Sequence, residues 1–389
     1  MFSSRVPADL TTNRITSTLQ RLRAAGIELV DLTESNPTRA GFEYPRELLS
    51  TLADPRALVY DPHPFGLPQA RAAVSADYKR RGTAVDSDRI VLTASTSEAY
   101  SLLFKLLCDA GDAVLVPRPS YPLFEHLTRF ESVTMIPYDL EYQGRWSIDL
   151  ESVRRALTPG IRAVLLVNPN NPTGSFVKRD EVETIAALCA PGVAMIGDEV
   201  FADYPLTSPI PAAATVFSQD RALAFSLGGL SKSVGLPQFK LAWIAVGGPA
   251  ELVQGALERL ELLCDTYLSV ATAVQIAADR LLSTGASVRE QILARVTANY
   301  ADLMRAVAAV PSCRVLDAEA GWYAILQVPA TRSEEALIVE LMEEDRLYVQ
   351  PGYFFDFVRE AFVVVSLLPP PAVFAEAISR LLRRVDAEP

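Results

Sequence analysis

The chain has 389 residues, half of them hydrophobic, with a formal net charge of −11, which fits a folded globular protein with no basic stripe for nucleic acid. Its two histidines, His63 and His126, argue against His-rich metal sites and a hydrolase triad. The opening residues 1–7 contain no apolar signal core, and no uncharged apolar run approaches ~18 residues, so neither a secretory signal nor a membrane span is expected. The scattered cysteines Cys108, Cys189, Cys264 and Cys313 read as reduced core residues of a cytoplasmic protein.

In chain order, residues 8–25 read as a helix with Leu10, Ile15, Leu19 and Leu22 on one side, and 27–32 as a strand. Short apolar runs at 89–93, 113–116, 162–167, 193–196 and 222–227 have the pattern of strands covered on both faces. Amphipathic segments at 98–109 and 179–190 read as helices between them. Such alternation argues for an open, mostly parallel α/β sheet. Helices are expected at 251–263 and 271–282, joined through 265–269. A long helix at 287–310 carries Val288, Ile292, Val296, Leu303 and Val307 at helical spacing. A strand at 321–327, a helix at 334–345, a strand at 362–368 and a helix at 371–385, with proline in its first turn, complete the chain. The expected organisation is a large α/β domain over 46–285. A smaller α+β domain joins the N-terminal arm, 1–45, to residues 286–389.

Ligands bind outside the carboxyl ends of strands in such sheets. Here those ends carry polar residues. Lys232, one of five lysines, follows the 222–227 run in Gly229-Leu-Ser-Lys232. A desolvated lysine has a lowered pKa and can attack a carbonyl to form a Schiff base; a loop cap or an ion pair also explains it. Asp198 ends the 193–196 run: either it neutralises a cation such as a protonated pyridine nitrogen, or it caps a helix. Ser95-Thr96-Ser97-Glu98 has the form of a capping box, and a helix N-terminus with hydroxyls also suits a phosphate. Asn171 lies in Asn168-Pro-Asn-Asn-Pro-Thr-Gly174, where prolines and glycine force a turn that alone could explain the segment; the functional reading is an amide held at the strand end to donate to a ring oxygen. Tyr121 follows the 113–116 run.

With these motifs in order and spacing, the chain resembles the class I/II aminotransferases, fold-type I pyridoxal-phosphate enzymes, from about residue 30 to 370. The resemblance implies pyridoxal 5'-phosphate as cofactor. Lys232 would be its Schiff-base lysine and proton shuttle, Asp198 the partner of the pyridine nitrogen, and Asn171 the donor to the phenolic oxygen. Tyr121 would stack on the ring, and Ser95, Thr96 and Ser97 would cradle the phosphate. Tyr60, in Tyr60-Asp-Pro-His-Pro-Phe-Gly66, would reach the phosphate of a neighbouring subunit in a homodimer with shared active sites. The implied partners are a small-molecule amino donor and a keto acceptor.

Four positions depart from the family pattern. Lys240 stands where an arginine usually holds the phosphate, which keeps the charge and loses the bidentate fork. Gly229 replaces a serine, and Phe201 a tyrosine that would donate to the ring oxygen. Val364, in Phe362-Val-Val-Val-Ser366, replaces the arginine that usually clamps a substrate α-carboxylate. Arg39, in Glu34-Ser-Asn36-Pro-Thr-Arg39, is the candidate replacement, with Asn36 beside it; a solvated loop residue is the other reading. The leading expectation is a transaminase with atypical carboxylate recognition. A β-lyase of the same fold, or a cofactor-binding protein without turnover, uses the same Lys232 and Asp198.

Overall fold

A computed structural model describes residues 1–189, 192–207 and 214–386. The central feature is an eight-stranded sheet. Its strands lie in the order Ile90–Thr93, Ala242–Gly247, Ala224–Gly229, Ala194–Asp198, Ile161–Val167, Ala113–Arg118, Thr134–Tyr142, Trp146–Ile148. The five strands from Ala224–Gly229 to Thr134–Tyr142 are mutually parallel. Ala242–Gly247 is antiparallel to both its neighbours, so Ile90–Thr93 runs in the same direction as the parallel five. Ser95, Arg118, Asn168, Asp198 and Gly229 therefore all emerge at one edge of the sheet. The strand cores are almost wholly buried, as their unbroken Val, Ile, Leu and Ala runs demand when helices cover both faces.

A second, four-stranded sheet runs Arg314–Leu316, Tyr323–Gln327, Phe362–Ser366, Gln350–Pro351 and is antiparallel throughout. The N-terminal segment joins this part of the chain, since Val30–Asp31 pairs in parallel with Leu347–Tyr348. One apolar cluster draws on residues 15–40 and 288–385 together with Phe201 and Tyr204. Three others lie within 48–282. The architecture is thus α/β, a large mostly parallel sheet with a smaller antiparallel-sheet unit.

Local chemistry moves several boundaries. The first helix is Arg14–Ala24, not 8–25. Asp9 accepts from the Thr11 amide and hydroxyl, and Asn13 caps the Thr16 amide, so side chains take the backbone donors that an earlier helix would need. Leu10 is left exposed. The strand expected over 27–32 shrinks to Val30–Asp31. Ala190, the expected end of the helix Arg179–Cys189, lies outside the described residues. The helices expected at 271–282 and 287–310 are one 36-residue helix, Thr272–Val307. Ser283-Thr-Gly285 reads as a break, yet a Cβ on Gly285 would lie 2.8 Å from Val234. Close packing against the turn that follows Lys232 accounts for the glycine, and tertiary contact overrides its low propensity. The helix therefore runs unbroken through residue 285. The hairpin Thr134–Tyr142/Trp146–Ile148 and the strand Ala242–Gly247 lie outside the sequence expectation. No single helix among the described residues is long and apolar enough to cross a membrane.

Candidate active site

Lys232 lies in the short helical turn Leu230–Ser233 directly after Ala224–Gly229. The Ser233 hydroxyl donates to the Gly229 carbonyl at 3.0 Å, and the Tyr204 hydroxyl donates to the Lys232 carbonyl. The lysine backbone is thus fixed from two sides. Its Nζ lies 4.7 Å from the Trp322 ring centre and 5.4 Å from that of Phe201, and 3.5 Å from the Ser35 carbonyl oxygen. Burial lowers its pKa to about 8, with the charge of Asp198 opposing. Near neutral pH the amine is therefore available in both protonation states.

Asp198 ends its strand one hydrogen-bonded step from Asn168, whose amide donates to the Asp198 carbonyl at 2.8 Å. Burial raises the Asp198 carboxyl to about 6, against the Tyr100 hydroxyl, which donates to Oδ2 at 3.0 Å, and a long contact from the Val200 amide. No ion pair joins Asp198 to Lys232 among the described residues. A carboxylate raised by desolvation gains most from a cation brought to it.

The Asn168–Gly174 loop is built by its other amides. Asn168 donates to the Ala214 carbonyl and accepts from the Val177 amide. Asn170 donates to the Pro119 carbonyl and to Thr173 and accepts from the Ser120 hydroxyl. Gly174 has φ +68°, and a Cβ there would meet the Ala320 carbonyl at 2.5 Å, so only glycine closes the loop. Asn171, 8% exposed, takes no part, and its Oδ1 is buried without a partner. A buried amide left over while its neighbours are all engaged is suited to a ligand.

Ser95 caps the helix Thr96–Leu107, accepting from the Glu98 amide at 3.1 Å, while Glu98 accepts from the Ala94 amide. Ser95 thus caps the helix while Glu98 reaches one residue further back, to Ala94, and Thr96 and Ser97 occupy the first turn. Tyr121 is 41% exposed, edge-on to Phe124. Burial, then the charge of Asp198, raises its pKa; Tyr121 and Tyr100, whose hydroxyl donates to Asp198, both pack on Phe124. Phe201 is buried against Trp322, Tyr323 and Lys232.

The remaining candidates stand differently. Tyr60 is 74% exposed and shares a surface cleft with Ser269, whose hydroxyl donates to Glu98. Lys240 is exposed, in a left-handed conformation, just outside the paired residues Gly229 and Ala242. Arg39 is exposed at the end of the turn Pro37–Arg39. The Asn36 side chain is engaged there, accepting from the Thr38 amide and hydroxyl. Val364 is fully buried between Ile325 and Gln350. The structure therefore gathers Lys232, Asp198, Phe201 and Tyr121 into one neighbourhood, and leaves Arg39, Lys240 and Tyr60 without a side-chain hydrogen bond among the described residues.

Three residues of the site escape sequence reasoning. Tyr100 sits one turn into the capped helix, where it reads as part of the apolar face. Tyr204 follows a loop that carries no periodic signal. Trp322 belongs to an expected strand and reads as core.

The chain matches the family model for aminotransferase class I and II over residues 28–381. The chain belongs to the class I and II aminotransferases. Glutamate-pyruvate aminotransferase AlaA of Haemophilus influenzae is 23% identical over 93% of this chain and 92% of its own. Alanine aminotransferase of Mycobacterium bovis is 25% identical over 93% and 86%. The structure of alanine aminotransferase from Pyrococcus furiosus superposes with a TM-score of 0.88 at 22% identity, covering 98% of this aminotransferase and 99% of that chain.

Proposed function

We propose that this aminotransferase binds pyridoxal 5'-phosphate covalently on Lys232 and moves an amino group from a small-molecule amino donor to a keto acceptor. The observation that carries the reading is a half-buried Lys232 at a strand end, its amine against Trp322 and Phe201 and its pKa lowered to about 8, beside a half-buried Asp198 that has no cationic partner among the described residues. When bound, the cofactor supplies a carbonyl and an electron-withdrawing ring. Asp198 would hold a protonated ring nitrogen, steadied by Tyr100. Asn171, with its amide uncommitted, would face a ring oxygen, and Tyr121 would cover the ring. Ser95, Thr96, Ser97 and the first amides of their helix would hold the phosphate, with Lys240 adding charge. Lys232 Nζ, fixed through Tyr204 and Ser233, would accept the proton of the donor carbon and return it.

The cofactor region would be 46–285, with 1–45 and 286–389 as the smaller unit. A homodimer with shared sites is supported by the consecutive exposed residues Leu58, Val59 and Tyr60, a run suited to burial against a second copy. The unpaired cysteines support a reducing, cytoplasmic setting.

Carboxylate recognition would be atypical. Val364 presents no charge, and Glu34, whose carbonyl accepts from Ser366 at 2.7 Å, brings an acidic side chain to the same strand end. Arg39, three residues beyond Asn36, would supply the cation. Mixing the protein with a panel of amino donors and following loss of the bound-cofactor absorbance tests the function. In that assay Arg39→Ala should raise KM for an α-amino acid ~10-fold or more, the scale of a charge-assisted hydrogen bond of ~1.5–3 kcal/mol, with cofactor content unchanged. Equal, fast reaction of both proteins with common α-amino acids would show that Arg39 does not serve as the clamp.

A further inference from the structure

Glu34 is a half-buried carboxylate that no cation pairs with among the described residues. Its Oε1 accepts from the Asn36 amide at 2.7 Å. Its Oε2 accepts from no described group, yet that oxygen is not sealed from solvent. Arg39, further along the same loop, is exposed and does not turn back to it.

The loop that carries Glu34 is pinned beside the catalytic lysine. The Ser366 amide donates to the Leu32 carbonyl, and the Ser366 hydroxyl donates to the Glu34 carbonyl at 2.7 Å. Lys232 Nζ lies 3.5 Å from the Ser35 carbonyl oxygen. The Tyr323 phenol shares these surroundings. Burial raises its pKa, and the charges of Tyr121 and Glu34 add to the rise, while the Ser35 hydroxyl opposes it. Glu34, Ser35, Tyr121 and Tyr323 therefore surround the approach to the Lys232 amine. Val364 lies two residues before Ser366 on the same strand and hence on the same face, the face that meets the Glu34 loop. An arginine there would offset Glu34; valine leaves the carboxylate unanswered. A carboxylate partly withdrawn from water gains from a cation brought to it.

We propose that Glu34 selects the amino donor: the preferred donor bears a second cation further along its chain, an ammonium or guanidinium that Glu34 Oε2 receives while the first amine meets the cofactor. The inference rests on the cofactor reading above and names the substrate class of that site. A basic α-amino acid satisfies both loop charges, its carboxylate on Arg39 and its distal cation on Glu34. A diamine satisfies Glu34 alone.

The test is single-turnover kinetics of the cofactor-loaded full chain, followed through an absorbance band that borohydride abolishes. No such band would defeat the cofactor reading, and this inference with it; given the band, the remaining outcomes bear on Glu34 alone. Ornithine is compared with norvaline, and 1,4-diaminobutane with butylamine, pairs that differ only in the second amine. In the wild type the charged member of at least one pair should half-saturate at a concentration ~10-fold lower or more, the scale of a charge-assisted hydrogen bond. A preference in the first pair alone identifies a basic amino acid as donor; one in the second pair extends the class to diamines. Glu34→Gln keeps an oxygen that can accept from Asn36, so the loop should hold while the preference disappears and the uncharged members react as before. A glutamate that only shaped the loop would instead weaken both members of a pair together. Equal half-saturation within both pairs in the wild type, or a preference that survives in Glu34→Gln, would overturn the proposal. Should that variant fail to fold, the wild type decides on three donors. Ornithine, norvaline and glutamate should fall in that order, and glutamate reacting as readily as ornithine would overturn the proposal equally.

Discussion

Lys232→Ala is expected to reduce the single-turnover rate with any amino donor by ~10³-fold or more, because it removes both the attacking amine and the group that carries the proton, and acid–base catalysis alone is worth ~10²–10⁴. Lys232→Arg separates the chemistry from the contact. Arginine retains a cation above Trp322 and Phe201, yet it does not lose its proton, so it should be as inactive as alanine. The wild-type amine, by contrast, has its pKa lowered to about 8 by burial. Its neutral, attacking form grows as pH rises, so uptake of pyridoxal phosphate by the cofactor-free protein should speed up through about pH 8 and then level. Stopped-flow absorbance reads both quantities. Comparable rates in wild type and Lys232→Arg, or uptake that slows through that range, would contradict the assignment.

Asp198→Asn is the second large effect. The carboxylate is desolvated, its Oδ2 is engaged by Tyr100, and it awaits a cation. Removing one member of a buried charge pair costs about 3 to 5 kcal/mol, or ~10²–10⁴-fold. The amide is nearly isosteric and can still accept from Tyr100, so the fold should persist while the loaded protein loses that factor in single-turnover rate. Since Asp198 titrates near 6 before a cation arrives, the wild type should also load cofactor less readily below that pH. A variant within a few-fold of wild type would show that the ring nitrogen is not held by this residue.

The strand ends were legible because fully covered strands need unbroken apolar runs, and each run stops where a polar residue is required. That logic located Asp198, Asn171, Ser95 and Lys232 without knowledge of the sheet order. It could not find Tyr100, which contacts Asp198 from a helix 98 residues away in sequence, or Trp322, whose relation to Lys232 depends on how the small antiparallel sheet seats against the large one. The antiparallel strand Ala242–Gly247 is hidden for a related reason. Its run is as apolar as its neighbours, and direction leaves no mark in composition. Gly285 misleads in the opposite sense, since its missing Cβ serves Val234 and not a helix end. Arg39 is exposed at the end of a turn, and an arginine there has the same sequence appearance whether it binds a substrate or only solvent.

The central claim is that Lys232 carries the cofactor. Borohydride reduction of the loaded protein, followed by proteolysis and mass mapping, tests it directly. The account predicts a single pyridoxyl-phosphate adduct on the peptide that contains Lys232; an adduct on Lys240 instead, or none after incubation with pyridoxal phosphate, would contradict it.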